Sequence, residues 1–488
     1  MKYRSLLVSL TAVLVAVMVC MPMTGIAAVK AKPKPKAAAK PVVPKIVVPS
    51  GPKVLTVVAG RPFETVPSSG SPKMFITLCA EESEPGTFTV KYSKPLQNVK
   101  VCSAGDLIGS GSKIPSSSIT VSKLDGINLI SDADSKAVTT DIGSTPTQFW
   151  VDVTVPARTR PGVYKGAIGF YSQNKPFDYV PFEVKVLPLR LVGSSKQYIL
   201  YTNCCPSKMG QDSYCAFLAA FKDNQFKSIA TAACHETAPS ILNCYRSCGL
   251  TGPVPLITYA LNSEVPAIEH VQAYQDAKRA AGLNNMFFFT VDNPTDEAQI
   301  SKSLEQIEAI HSVRAQAAAR ISCELALQQL EPKLDAINYH VDMPYIQSLI
   351  NGTAKKTSMK TDWYWWDAQK SVNDNRLYAG VIAWKAGLFG CMPTWMPEEG
   401  KESLDGVKSL LTVALREGVD DTRYMTSFMK ALRELKDLKR PRDKYYIETT
   451  EAYLKTFMSK PLYQLNPTQL AGMRAKLTEY SLALSAKL

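Results

Sequence analysis

The sequence predicts a multidomain protein in which an N-terminal all-β sandwich is followed by a (β/α)8 TIM-like barrel and C-terminal helices. Three observations lead to this fold class. Short β-prone runs fill residues 54–192, strand-like and helical runs alternate over 193–400, and 401–488 keeps a helical spacing of apolar residues. A chain of 488 residues with 45% hydrophobic residues can fill two or three such domains with buried cores.

The first 28 residues have the pattern of an export signal. Lys2 and Arg4 give it a positive start, residues 6–19 form an apolar run, and small residues near Ala27 or Ala28 suit cleavage. A retained membrane anchor is the alternative. We therefore expect a secreted, periplasmic or cell-envelope protein with no integral membrane span after signal removal, because no later apolar run is long enough.

Residues 29–53 are rich in proline, lysine and alanine, which predicts an extended, solvated linker. Contact of this linker with an anionic envelope surface is the alternative. Residues 1–53 contain nine Lys/Arg and no acid, so the formal net charge of +13 for the whole chain falls to +4 for residues 54–488. Because the predicted folded part has no strong basic excess, a nucleic-acid partner is not expected.

Residues 54–192 read as a β-sandwich. Strand-like runs rich in Val, Phe, Tyr, Thr and Ile are broken by Gly, Pro, Ser or Asn at intervals of roughly ten residues. The runs are KMFITLCA, GTFTVKYS, NVKVCSA, QFWVDVTVP, GVYKGAIGFYS and YVPFEVKVLPL. A Pro-Gly turn within ARTRPGVYKG is expected to link two strands.

Residues 193–400 alternate strand-like runs with helical segments such as 264–281 and 296–318, a pattern typical of a (β/α)8 barrel. The eight runs are QYILYTN, KSIATAACHE, VPLITYAL, MFFFTVD, ARISCEL, AINYHVD, KTDWYWW and GLFGCMPTW. Residues 401–488 carry apolar side chains at three- and four-residue spacing, which predicts helices packing on the barrel.

The sequence has eleven cysteines, and loss of Cys20 with the signal would leave ten. Cys79 and Cys102 lie in neighbouring predicted strands and are candidates for a disulfide, which export permits. Six more cysteines crowd residues 204–248. His235 beside Cys234 raises a zinc site as an alternative, but the C-x9-C-x3-C spacing matches no familiar zinc pattern, so no metal or cofactor is expected.

In a (β/α)8 barrel, functional residues collect where the strands end. Asp292 and Asn293 end predicted strand four, in the stretch VDNP. The other candidate ligand-binding residues are Glu236, Tyr259, Glu324, His340, Asp342, Tyr364, Trp366 and Trp395. Aromatic rings stack on sugars and carboxylates bond hydroxyls, so the set favours a carbohydrate ligand.

For each candidate a purely structural role is the alternative. Alternation along a strand allows only one pair from the run 363–366 to face the interior. The sequence lacks a Gly-rich phosphate loop, a G-x-S-x-G elbow and an H-E-x-x-H pair, which leaves redox, kinase and serine-hydrolase functions without support.

Seven short motifs occur in order over residues 84–424. They are EPGTFTV at 84–90, LQNVKV at 96–101, FWVDVTVP at 149–156, PGVYKG at 161–166, NRLYAG at 375–380, AWKAGLFG at 383–390 and LREGVDDTRY at 415–424. Together they resemble glycoside hydrolase family 123 and the uncharacterised families that share its C-terminal domain. The resemblance implies an exo-acting N-acetylhexosaminidase. In that family an Asp orients the substrate's own acetamide, and the Glu after it is the general acid.

The resemblance places Asp292 on the family's Asp and Asn293 on its Glu, and at Asn293 the sequence departs from the family. An amide has no proton to donate near neutral pH, and loss of acid–base catalysis costs about 10²–10⁴-fold in rate. We therefore expect a protein directed at N-acetylhexosamine-containing glycans with impaired or absent catalysis. The alternatives are a non-catalytic glycan-binding or envelope structural protein, and a glycosidase of other specificity that uses a different carboxylate. Asp296 and Glu297 are expected at a helix N-terminus instead.

Overall fold

The computed structural model describes residues 55–64, 70–109, 111–132, 136–232, 238–250, 252–257, 267–283, 286–356, 360–396 and 407–488. The predicted signal and linker lie outside these residues. No helix within them is long and apolar enough to cross a membrane.

The N-terminal part is strand-rich, as predicted, and its strands form two sheets. The strands are β1 Thr56–Gly60, β2 Met74–Leu78, β3 Ser83–Lys91, β4 Leu96–Ser103, β5 Leu107–Gly109, β6 Ser112–Ile114, β7 Ile119–Asp125, β8 Asn128–Ile130, β9 Val138–Ile142, β10 Thr147–Thr154, β11 Gly162–Ser172 and β12 Lys175–Val186. One sheet has the order β1-β3-β10-β7-β8 and the other β2-β12-β11-β4-β9, with β5 pairing β11 and β6.

The two sheets share one hydrophobic core because alternate side chains of each turn towards the other. Phe88 and Phe149 on the first sheet stack with ring centroids 5.3 Å apart. Phe170 on the second sheet meets both rings edge-on. The predicted turn before Gly162 joins β10 to β11, and those strands lie in different sheets.

The second part is a barrel-like parallel sheet. Its strands are β13 Gln197–Thr202, β14 Ser228–Ala232, β15 Val254–Ile257, β16 Met286–Phe289, β17 Gln316–Ile321, β18 Ala336–His340, β19 Thr361–Trp365, β20 Gly390–Cys391 and β21 Thr394–Trp395. Each of β14 to β19 pairs with the next strand, and β13 pairs with β14 as well as with β20 and β21. The pairings therefore return to the first strand of the series.

Helices follow most of these strands, as the alternating pattern predicts. They are α1 Pro206–Met209, α2 Gln211–Asp223, α3 Ala238–Ser247, α4 Ala267–Ala281, α5 Glu297–Ser312, α6 Glu324–Leu330, α7 Pro344–Asn351, α8 Val372–Leu377 and α9 Ala383–Lys385. A π-helical turn, Tyr378–Ile382, joins the last two.

The C-terminal part is helical, as predicted, with α10 Leu410–Asp437, α11 Lys444–Met458 and α12 Pro467–Ser485. The helices pack on the barrel-like part and also on the strand-rich part. The amide of Leu129 on β8 donates to the Lys408 carbonyl, and the amide of Leu410 donates to the Ile127 carbonyl. Arg416 on α10 reaches Asp152 on β10 at 2.7 Å. The helical region therefore joins the two other parts.

Candidate functional site

Alternation along the parallel strands separates two sets of side chains. One set packs against the helices in the main hydrophobic core. The other set forms a separate cluster on the opposite, interior face of the sheet. Its members are Ile199, Tyr201, Ala230, Phe287, Phe289, Ala318, Ala336, Trp363 and Met392, with Trp365 and Met396 packed beside them.

Arg320, on β17, is the charged residue of this interior face and is only 4% exposed. Its guanidinium lies between two aromatic rings, 4.0 Å from the centroid of Tyr201 and 3.8 Å from that of Trp365. Nη1 donates to both carboxylate oxygens of Asp292, at 3.0 and 3.2 Å, and Nη2 donates to Thr394 Oγ1 at 2.9 Å. Cation–π contacts and charged hydrogen bonds together compensate for burying the guanidinium.

Asp292 and Asn293 lie just after β16, the strand that corresponds to predicted strand four. The Asp292 side chain is 36% exposed, so solvent and a ligand can still reach the carboxylate that Arg320 holds. Asn293 has φ of 52°, in the left-handed region that asparagine tolerates better than most residues. Its Oδ1 is buried and has no hydrogen-bond partner among the described residues.

Asp296 caps helix α5, as predicted: its carboxylate accepts a hydrogen bond of 2.8 Å from the Gln299 amide. Glu297 is the first residue of the same helix, where a negative charge favours the helix dipole. Both carboxylates therefore belong to the N-terminus of α5.

His340 and Asp342 lie at the end of β18, beside the Arg320 cluster. The His340 ring meets the Trp365 ring edge-on with centroids 4.3 Å apart, and its Nδ1 lies 3.6 Å from an Asp342 carboxylate oxygen. The Asp342 amide donates to that Nδ1 at 3.3 Å, so the neutral imidazole carries its proton on Nε2. Burial lowers the pKa of His340, and Arg320 lowers it further, while Asp342 raises it. His340 is therefore a neutral hydrogen-bonding group near pH 7.

The structure corrects three predicted ligand contacts. Tyr364 and Trp366 face the helices: the Tyr364 hydroxyl donates to the Tyr378 carbonyl, and Trp366 Nε1 donates to Asn375 Oδ1 at 2.9 Å. Trp395 also belongs to that outer core. All three are at most 5% exposed. The opposite pair of the run, Trp363 and Trp365, faces the interior.

The position predicted for Glu324 is also corrected. Strand β17 ends at Ile321, and Glu324 is the exposed first residue of α6 instead of a strand residue. Glu236 and Tyr259 lie outside the described residues, as do Cys234 and His235. The structure thus brings together Asp292, Asn293 and the pair of His340 and Asp342.

The cysteines do not follow the predicted pairing. Cys79 and Cys102 are free thiols. Cys79 follows β2 and Cys102 lies on β4, and these two strands are not neighbours in their sheet. A disulfide joins Cys215 on α2 to Cys244 on α3. Among the described residues, no group of three or more His, Cys, Asp or Glu is placed to hold a metal ion.

The sequence predictions missed Arg320, Tyr201, Trp365 and Thr394. Arg320 carries a usable signal, since a lone arginine inside the apolar run ARISCEL needs a partner when the strand is buried. Tyr201 ends the run QYILY and shows no such signal. The assembled site holds two reachable carboxylates, Asp292 on a buried arginine and Asp342 beside a neutral imidazole, together with aromatic faces. It can bind polar rings, but it places no carboxylic acid at position 293.

Comparison with solved structures finds three glycoside hydrolases among the matches. A solved family 123 glycoside hydrolase from Clostridium perfringens matches with a TM-score of 0.62 and 12% identity, over 89% of this chain and all of its own. A family 39 glycoside hydrolase from Bacteroides cellulosilyticus WH2 has 8% identity and a TM-score of 0.35, over 72% of this chain and 82% of its own. A Bacteroides ovatus GH5 xyloglucanase has 8% identity and a TM-score of 0.30, over 75% of this chain and all of its own.

No family model matches the chain, and neither does any curated protein. The first of these likenesses shows that the chain has a glycoside-hydrolase-like fold. At such identities the likeness concerns the fold alone.

Proposed function

We propose that this chain is an exported protein of the glycoside hydrolase family 123 type that is directed at N-acetylhexosamine-containing glycans and lacks the family's acid–base catalysis. In this proposal the strand-rich part is a β-sandwich, and the barrel-like sheet is a (β/α)8 barrel. The observation that carries it is the tip of β16, where Asp292 is held by Arg320 and followed by an amide at Asn293.

Asp292 retains what is needed to hold an acetamide. Its carboxylate oxygens each accept from Arg320 Nη1 and keep further lone pairs, and more than a third of the side chain is exposed. The paired arginine fixes the position of this carboxylate, which suits orientation of an N–H donor.

The backbone supports the same assignment. A positive φ at position 293 favours asparagine, whereas a longer side chain there carries a strain of about 1 kcal/mol. Asn293 is thus suited to this turn for a reason unrelated to proton transfer.

The test is hydrolysis of an aryl N-acetyl-β-hexosaminide. We expect little or no turnover by the wild-type protein. Asn293→Glu restores a carboxylic acid and should raise the rate by about 10²-fold or more, while Asn293→Gln, equally long and equally strained, should not. Wild-type turnover at ordinary glycosidase rates that Asp292→Ala abolishes would overturn the proposal.

Calorimetric titration with N-acetylglucosamine and N-acetylgalactosamine separates the remaining alternatives. Binding that Asp292→Ala removes, without turnover in any variant, points to a non-catalytic glycan-binding protein. Absence of both binding and turnover points to a structural role in the envelope. The third alternative is a glycosidase of different specificity that uses Asp342 as its acid. Asp342 suits this role because it is 75% exposed beside His340. In that case Asp342→Asn would abolish turnover of other aryl glycosides.

Export and domain boundaries complete the proposal. Residues 1–28 act as the signal, 29–53 as the tether, 54–192 as the sandwich, 193–400 as the barrel and 401–488 as the helical region.

A further inference from the structure

The positive charge of the region after the linker is concentrated at its C-terminal end. Residues 436–488 contain ten Lys/Arg and five Asp/Glu, whereas residues 54–435 contain 37 Lys/Arg and 38 Asp/Glu. The excess lies on the segments that flank α11 and α12, because α11 carries two Lys and two Glu and the extra cation of α12 is the buried Arg474. A local excess of one sign raises the local concentration of ligands of the opposite sign.

Part of this charge is unpaired at one end of α11. Arg440 is paired with Asp443 at 2.6 Å and also donates to the Lys487 carbonyl. Lys439 and Arg442 are exposed, and neither forms an ion pair with any described residue. Because Asp443 is buried, the outer surface here presents mainly cations.

Two exposed aromatic rings lie beside these cations. Tyr445 is 72% and Tyr446 is 43% exposed, and their ring centroids are 5.8 Å apart. Lys487 Nζ lies 3.7 Å from the centroid of the Tyr446 ring. Tyr445, the more exposed of the two, offers its ring to a ligand, whereas Lys487 covers one face of the Tyr446 ring.

A cleft adjoins the tyrosines. It has a volume of about 320 Å³ and is lined by Arg442, Asp443, Ala486 and Lys487. Cations stand on both walls, since Arg442 precedes α11 and Lys487 follows α12. A concave site of this size accepts a sugar ring, whereas a bilayer surface needs a flat or convex apolar face.

We propose that this surface, formed by Arg442, Tyr445, Tyr446 and Lys487, binds an acidic glycan chain that carries carboxylates. The cleft holds one uronate residue between the two cations, and the ring of Tyr445 stacks on the next sugar. This secondary site goes beyond the proposed function and does not depend on it, because it shares no residue with the Asp292 site.

The test is calorimetric titration of the full chain with a galacturonic acid tetramer and with its fully methyl-esterified counterpart. The two probes share length and ring faces and differ in charge. We expect the acid to bind at least about tenfold more tightly than the ester, with binding weakened in 1 M salt, where the Debye length is about 3 Å. Equal binding of the two probes, or none, would overturn the proposal.

Four single variants locate the site. Arg442→Ala and Tyr445→Ala should each weaken binding of the acid by about tenfold, as loss of a main anchor does. The matched controls Lys302→Ala on α5 and Tyr463→Ala, whose side chains are 49% and 51% exposed, should bind like wild type. All four changed residues are exposed, so unchanged melting temperatures are expected to accompany these results.

Two further outcomes separate this ligand from other polyanions. Asp292→Ala should leave binding of the tetramer unchanged, and a loss there would assign the binding to the barrel-like site instead. Preference for vesicles of anionic phospholipid, or for an oligonucleotide, over the tetramer would show that the surface serves a different partner.

Discussion

Two buried arginines show how the same side chain serves two purposes in this molecule. Arg320 bonds one carboxylate, which is itself 36% exposed, and lies between two aromatic rings. Arg474, on α12, bonds three carboxylates, from Asp421 at 2.7 Å, Glu84 at 2.7 Å and Glu417 at 2.8 Å. Each guanidinium nitrogen of Arg474 has a hydrogen-bond partner. Arg320 instead holds a carboxylate that solvent reaches, and its buried Nε has no described partner. The arrangement at Arg474 joins parts of the chain, and the arrangement at Arg320 leaves a site open.

The environment of Arg474 is a network that connects the strand-rich part, α8, α10 and α12. Its other charged members are Glu82, Asp152, Arg376, Arg416, Asp420 and Arg423. Burial raises the pKa of Asp421, but Arg376 and Arg474 outweigh burial and bring that pKa below its ordinary value. Breaking this network should therefore cost more than opening the Arg320 site.

The largest effect is expected from Arg474→Met. Methionine keeps most of the packing but leaves Glu84, Glu417 and Asp421 buried without their shared cation. Removing one partner of a buried ion pair costs about 3–5 kcal/mol, and urea unfolding measures this loss. Lys476→Met, two residues along the same helix, is the control and should not change the unfolding midpoint. A loss in Arg474→Met no greater than that in the control would contradict a structural role for the network.

A smaller effect is expected from Glu82→Gln, and it depends on pH. Burial, together with the nearby Asp420, raises the pKa of Glu82 from 4.5 to about 7. The folded state holds the Glu82 proton more tightly than the unfolded chain does. The contribution of this proton to the free energy of unfolding is therefore complete below pH 4.5 and is lost as pH rises through 7. Glutamine mimics the protonated acid and can still accept from the Cys79 amide and the Tyr424 hydroxyl.

Between pH 4.5 and 7, the free energy of unfolding of the wild type should therefore fall by about 3 kcal/mol relative to that of Glu82→Gln. Urea unfolding of both proteins across this range measures the difference. Parallel stability curves would show that Glu82 ionises in the folded protein as it does in the unfolded chain.

The sequence allowed the strand order and the VDNP tip to be predicted, because buried parallel strands appear as apolar runs between helices. It did not allow the choice between Trp363–Trp365 and Tyr364–Trp366. Both faces of β19 are buried, so the run carries no alternation of polarity that would tell interior from exterior. The Arg474 network could not be predicted from the sequence either, because Glu84 lies 390 residues from Arg474 in the chain. Such pairings arise from the tertiary fold and leave no local pattern.

The smallest effect on stability is expected from Arg320→Met. The change removes hydrogen bonds to Asp292 and Thr394, but Asp292 is exposed enough to be hydrated in their place, and methionine can pack between Tyr201 and Trp365. We expect a loss of about 1–2 kcal/mol in urea unfolding, well below that of Arg474→Met. The same variant should lose any N-acetylhexosamine binding, because the freed Asp292 no longer has a fixed orientation. A stability loss as large as that of Arg474→Met, with sugar binding kept, would instead make Arg320 part of the scaffold and remove the contrast between the two arginines.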